Sequence, residues 1–261
     1  MQLQARDQEI LASVFKYGIL SSEQIGLLHF KSVHHTVVMR RLRILEKEKL
    51  LTRIDSLPKS QSAWSLSVAG ARIINVEPPA RFSNRNTTLH DVTVAQVRMS
   101  LEAVGLGHEF SSEWELRKRL PAQSNLANKF LQIPDGIFVA EENATSEPKV
   151  VALEIELNAK NHQRYRRIID HYQSIGSISY VWYFVSSEAI ARTIHGQWRA
   201  ASNTNPTQDF IFSVIDDGAA HENPIRIWSA RANTWIEIQS VFKLPFKSDE
   251  AGPAVDSSLG R

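Results

Sequence analysis

Apolar side chains recur at three- and four-residue spacings through the first fifty positions. Leu3, Ile10, Leu11, Val14 and Phe15 form one stripe, which predicts a helix over residues 4–18 stopped by Gly18. Ser21 and Gln24 have the spacing of a capping box and open a short second helix, with Ile25, Leu27, Leu28 and Phe30 as its apolar side. Lys31 and Ser32 make a tight turn into a third helix over about residues 33–49. Val38, Leu42 and Leu45 face inward there, with Val37 or Ile44. His34, His35, Thr36, Arg40, Arg41 and Arg43 are left for the outside. The pattern then changes. Leu51–Ile54 and Ala63–Leu66 read as short strands around a polar tip, and VAGARII closes the unit as a helical piece. Helix, helix, helix, hairpin, helix is the order of a winged helix-turn-helix. Its third helix enters the DNA major groove and its wing touches the backbone.

Residues 78–88 are proline-rich and polar, which marks a linker. Helical spacing resumes over His90–Ala103. Trp114 and Leu116 are expected in a core. Ile133–Ala140 and Val150–Leu157 then pair as a hairpin. Val151, Leu153, Ile155 and Leu157 alternate with Ala152, Glu154 and Glu156, so the two glutamates share the other strand face. Asp135 can approach them across the hairpin. A helix over Asn161–Ser174 groups Tyr165, Ile168, Ile169 and Tyr172 on one side and Arg164, Arg167 and His171 on another. Ile178–Val185 is almost continuously apolar, as in a strand covered on both faces. A helix over Ser187–Ala201 and strands over Phe210–Ile215, Ile225–Trp228 and Trp235–Ile238 follow. The fold class is therefore α+β: a winged helix over residues 1–77, a mixed α/β domain over 89–245, and a disordered tail over 246–261.

Composition removes several function classes. The 261 residues include no cysteine, which excludes disulfides, thiolate zinc sites and cysteine nucleophiles. No apolar run spans a bilayer and no charged-then-apolar leader begins the chain, so a cytoplasmic protein without membrane contact is expected. Phosphate-loop, GxGxxG and GxSxG patterns are absent. A net charge of +2 names no partner, but residues 1–80 hold 11 Lys/Arg against 7 Asp/Glu. That excess lies on the third helix and the hairpin. Double-stranded DNA is the partner it fits. Lys31, Arg40, Arg41, Arg43, Arg53 and Lys59 would contact phosphates beside Ser32, and His34, His35 and Thr36 would reach base edges. A symmetric DNA site would call for a homodimer.

The acids admit two readings. Asp135, Glu154 and Glu156 are either ligands for a hard divalent cation or solvated carboxylates on exposed strand faces. Lys160, just after the second strand, either positions a water that attacks phosphate or faces solvent. Arg164, Arg166, Arg167 and His171 either contact phosphate or form a solvated face. His90 and Asp91 are either a polar contact or part of a site.

The order of RRLRILEKEKLLTR, a hairpin, WSLSVAGARI, LHDVTVAQVR, Trp114, IPDGIFV, ALEIELNAK and RYRRIIDHY resembles the replication-relaxation family of plasmid and integrative-element proteins, over about residues 5–185. The resemblance implies a winged helix joined to a domain similar to the PD-(D/E)XK nuclease fold, acting at plasmid or transfer origins in replication or mobilisation. Pro134 and Asp135 match the PD element, and Glu154 matches the first acid of (D/E)XK. In an active nuclease of this kind Asp135 and Glu154 would hold Mg2+ or Mn2+, with Glu156 and Lys160 completing the catalytic set. Glu156 stands where the pattern wants lysine, which favours binding over cleavage. Two alternatives remain open: a metal-dependent nicking endonuclease, and an adaptor that docks on a relaxase or replication protein.

Overall fold

The computed structural model describes residues 3–58, 61–77, 87–107, 109–119, 132–201, 208–215, 225–231 and 233–244. Lys59, most of the sequence-predicted linker and the C-terminal tail lie outside them. The first unit runs α1 (Ala5–Tyr17), β1 (Ile19–Ser21), α2 (Ser22–His29), α3 (His35–Lys47), β2 (Leu51–Ile54), β3 (Ala63–Leu66) and α4 (Val68–Ile73). Gly18 takes φ +81° after α1, where a side chain would be strained. The Ser21–Gln24 capping box forms: Gln24 N donates to Ser21 Oγ at 3.1 Å and Ser21 N donates to Gln24 Oε1 at 2.8 Å. β1, β3 and β2 make an antiparallel three-stranded sheet in that order. Ile10, Leu11, Val14, Ile25, Val38, Leu42, Leu45 and Trp64 are buried together between helices and sheet. This is a winged helix. Leu27 departs from the expected apolar side of α2 and is 46% exposed.

A polar pair sits at the edge of that core. Asp7 is fully buried, and Arg41 Nε donates to its Oδ1 at 2.6 Å while the guanidinium NH2 meets Oδ2. Gln4 N donates to Asp7 Oδ2 at 2.7 Å. The pair ties the start of α1 to the middle of α3. Arg41 is thus turned inward, against its expected place on the DNA-facing side. Its partner lies 34 positions away, so no local pattern announces it.

The second unit contains α5 (Thr88–Ala103), β4 (Ser111–Ser112), α6 (Glu113–Arg119), β5 (Gly136–Glu141), β6 (Pro148–Glu156), α7 (His162–Ser174), β7 (Tyr180–Val185), α8 (Glu188–Ala201), β8 (Asp209–Val214), β9 (Arg226–Ser229) and β10 (Thr234–Glu237). Among the described residues its strands form one mixed sheet of order β10-β9-β8-β7-β6-β5-β4. β5 and β6 pair antiparallel; β6, β7 and β8 run parallel through the crossovers α7 and α8. Both faces are covered. Phe138, Leu153, Ile155, Trp182 and Phe184 pack with Val97 and Leu101 of α5 and with Phe242. On the other face, Tyr165, Ile169 and Tyr172 of α7 and Ile194 and Trp198 of α8 pack on Val181, Tyr183, Phe210 and Phe212. Trp114 and Leu116 are only half-buried, not core. Trp114 instead lies 6.1 Å from the Phe15 ring with Lys118 5.0 Å above it.

α5 serves both units. Its Ala95 and Met99 join the winged-helix core, and Val92 packs with Ile19 and Ala63, while Val97 and Leu101 join the sheet core. Gln24 Nε2 donates to Val92 O at 3.0 Å. Glu102 accepts from Lys16 Nζ at 2.6 Å and from Tyr17 OH at 2.7 Å. No helix of the described residues is long and apolar enough to cross a membrane.

Removing Asp7 takes from Arg41 its charge-assisted partner. Asp7→Ala is therefore expected to cost about 1.5–3 kcal/mol in urea unfolding. Breaking the exposed Arg53–Asp55 pair by Asp55→Ala should cost under about 1 kcal/mol. Equal costs for the two variants would refute the assignment.

Candidate functional site

Two groups of polar side chains stand out, one on each unit. The first is the outer face of α3. Ser32 takes φ +60° in the turn before it. His34 caps the helix, its Nδ1 accepting from Thr36 N at 3.3 Å. Lys31, Ser32, His34, His35, Thr36, Arg40 and Arg43 are all exposed, as the sequence pattern expects. Thr36, Val37, Arg40, Arg43, Ile44 and Lys47 line a shallow open depression along one stripe of the helix. Two features of that stripe go beyond the sequence pattern. Lys47 continues the i, i+4, i+7, i+11 series from Thr36 and joins it. Val37, which the pattern offers to the core as an alternative to Ile44, is 37% exposed. On the wing, Arg53 Nε donates to Asp55 Oδ1 at 2.7 Å and to Ser62 Oγ at 3.0 Å, so its charge is largely spent within the protein.

The second group lies where β5 and β6 begin and end. Gly136 permits the close approach there: a Cβ on it would fall 2.1 Å from Phe110 Cζ. Just before it, Asp135 N donates to Leu153 O at 3.0 Å, and Asp135 Oδ2 accepts from Ile155 N at 2.7 Å. His90 Nε2 lies 3.3 Å from the same oxygen. Glu154 is 3% and Glu156 4% exposed, because α7 covers their strand face. Solvated strand acids are therefore ruled out for these two. Tyr172 OH donates to Glu154 Oε1, and Gln132 Nε2 donates to it at 3.1 Å. Lys160 Nζ donates to Glu156, and Lys160 N donates to Tyr165 OH at 2.9 Å. Lys160 is thus neither solvent-facing nor free. His171 Nε2 is 3.1 Å from Gln132 O. The structure brings Asp135, Glu154, Glu156 and Lys160 to one end of the sheet, and adds Gln132, Tyr172 and His90.

Burial pushes the Glu154 carboxyl up to about 8, and the nearby Asp135 charge pushes the same way. Burial also raises Glu156, against the pull of Lys160. Burial works against the charged form of His90, but its hydrogen bonds to Asp135 and Asp91 outweigh it and raise the imidazole to about 10. Burial and the neighbouring Asp135 charge thus favour the protonated form of Glu154, and the two aspartates favour the charged form of His90.

A model of one family, described as replication-relaxation, matches residues 11–183. The chain belongs to the replication-relaxation family. That membership supports a DNA-binding role tied to replication or mobilisation. The match to the replication-relaxation model takes in α3, α5, Asp135, Glu154, Glu156, Lys160 and α7. Among solved structures, the crystal structure of a cysteine-to-serine mutant of MarR from E. coli aligns at 15% identity. It covers 49% of this chain and 74% of its own, with a TM-score of 0.25. No curated protein matches.

For this replication-relaxation protein the resemblance implies Mg2+ or Mn2+ at Asp135 and Glu154. The donor set does not fit such an ion. Asp135 Oδ2 is taken by a backbone N–H and faces His90, Glu154 is held by Tyr172 and Gln132, and Glu156 is paired with Lys160. Among the described residues no group of three or more His, Asp or Glu side chains is placed to hold a metal.

A raised acid makes stability depend on pH. Unfolded, Glu154 loses its proton near 4.5; folded, it keeps it to about 8. Between those values the folded state binds the extra proton, so stability falls as pH rises. Glu154→Gln, which still accepts from Tyr172, is expected to flatten that slope in urea melts between pH 5 and 8. An unchanged slope would show that Glu154 is ionised throughout.

Proposed function

We propose that this protein is a double-stranded DNA-binding accessory protein of a plasmid or mobile element, acting at an origin in replication or conjugative mobilisation. The observation that carries the reading is the outer face of α3. Arg40, Arg43 and Lys47 project there with no ion pair among the described residues, around Thr36 and Val37. A helix that keeps three cations unpaired suits a polyanion, because each phosphate it neutralises releases a counterion. The helix start, with His34, His35 and Thr36, is the part that reaches base edges, and Val37 offers an apolar contact for a thymine methyl. The family supports the replication or mobilisation setting. A relaxase or replication protein is the partner class that setting implies, and two copies on a symmetric site would match a palindromic origin.

Binding is favoured over cleavage by the way the acids are paired. Glu154 is held by Tyr172 and Gln132, and a lysine locked to Glu156 is not available to a substrate phosphate. The fold around these acids supports a role as a rigid platform for the winged helix.

The test is duplex binding by fluorescence anisotropy across a salt series. Arg40→Ala is expected to weaken binding and reduce the log–log salt slope by about 1. Arg41→Ala should instead lower folding stability, through its loss from Asp7. If Arg40→Ala leaves both affinity and slope unchanged, α3 is not the contact. Nicking of plasmid by the intact chain with Mg2+, abolished in Asp135→Ala, would overturn the non-cleaving reading.

A further inference from the structure

The same criterion that selects α3, exposed cations left without a carboxylate, selects a second place on the molecule. In the sheet unit most surface cations are neutralised. Lys149 pairs with Glu147, Arg166 with Asp170, Arg192 with Glu188, Arg231 with Asp209 and Lys243 with Glu141. Arg226 stacks over Trp235 at 5.4 Å. Arg119 on α6 and Arg199 on α8 are also exposed without a carboxylate, but each stands alone; Arg164 and Arg167 share one helix face. Both are exposed on α7, three residues apart and therefore neighbours on the helix surface, and neither has an ion pair among the described residues. Arg167 Nε reaches only the backbone oxygen of Gln163, at 3.5 Å. The opposite side of α7 is anchored by buried Tyr165, Ile168, Ile169 and Tyr172, so the two guanidinium groups are carried on a rigid base.

Two exposed arginines one turn apart, neither in an ion pair among the described residues, suit a row of phosphates, which a guanidinium fork can meet with two hydrogen bonds. We propose that Arg164 and Arg167 form a second phosphate-contacting surface, so that the intact chain grips duplex DNA through α7 as well as α3. This rests on the DNA-binding reading above and extends it to the sheet unit. The acid end of the sheet is turned inward: Glu154 is buried and held by Tyr172 and Gln132, and Glu156, the acid that Arg164 acts on, is paired with Lys160.

The experiment uses the full chain and a labelled duplex of mixed sequence, with anisotropy read over a salt series. Four proteins are compared: wild type, Arg164→Glu/Arg167→Glu, Arg40→Glu/Arg43→Glu, and Arg226→Glu/Lys243→Glu. The last has the same change in net charge at another place. The α7 variant is expected to bind more weakly and to lose about 1.8 from the magnitude of the salt slope, about 0.9 for each lost phosphate contact. The Arg226/Lys243 variant should keep the wild-type slope. If the α7 variant matches wild type or the charge control while the α3 variant is impaired, the α7 surface is refuted and the α3 reading stands. If the α7 variant is impaired and the α3 variant is not, the second surface stands and the α3 reading falls. A wild-type chain that ignores the duplex overturns both.

Discussion

The buried Asp7–Arg41 pair sets what the winged helix can present. It holds α3 at one rotation against α1, because the guanidinium fork must meet both oxygens of a carboxylate that has no access to water. With Arg41 committed inward, Val38, Leu42 and Leu45 fill the core and the next positions round the helix turn out. Arg40, Arg43 and Lys47 then share one stripe with Thr36 and Val37. A carboxylate taken out of water is a costly way to gain stability, even with a guanidinium beside it. Its value here is orientation: the helix cannot rotate without stranding a charge.

The second constraint is α5. A helix that contributes to two hydrophobic cores and is clamped at Glu102 by Lys16 and Tyr17 makes the winged helix and the sheet unit share structure. The sheet unit supplies a stiff base, with aromatic rings layered on both of its faces. Its acid end is inward-looking. Tyr172, Gln132 and Lys160 satisfy the glutamates, and a backbone N–H satisfies Asp135. By contrast, Arg40, Arg43 and Lys47 on α3 and Arg164 and Arg167 on α7 are exposed and in no ion pair among the described residues.

Much of this was readable from periodicity. Both hairpins, the capping box at Ser21 and the helix–strand alternation from α7 onward follow from local spacing. β1 and β4 are three and two residues long, too short to carry a period, and they exist only because β3 and β5 offer them an edge. Burial of Glu154 and Glu156 was not readable, because alternation tells which residues share a face and not what covers it. Arg41 was misplaced for a related reason: an amphipathic pattern assigns arginine outward, and only a distant aspartate inside the core reverses that. Trp114 lies at the margin of the core, half-buried on α6 between the Phe15 ring of α1 and the Lys118 ammonium, contacts that no local pattern announces. Val37 sits at the margin of the apolar stripe, where pattern alone does not decide.

The most direct measurement is ultraviolet cross-linking of the intact chain to duplex DNA, with the attached peptides identified by mass spectrometry. Cross-links concentrated between His34 and Lys47 are expected. Efficient cross-linking that leaves that stretch unmodified and falls elsewhere would contradict the assignment of α3 as the DNA-reading element.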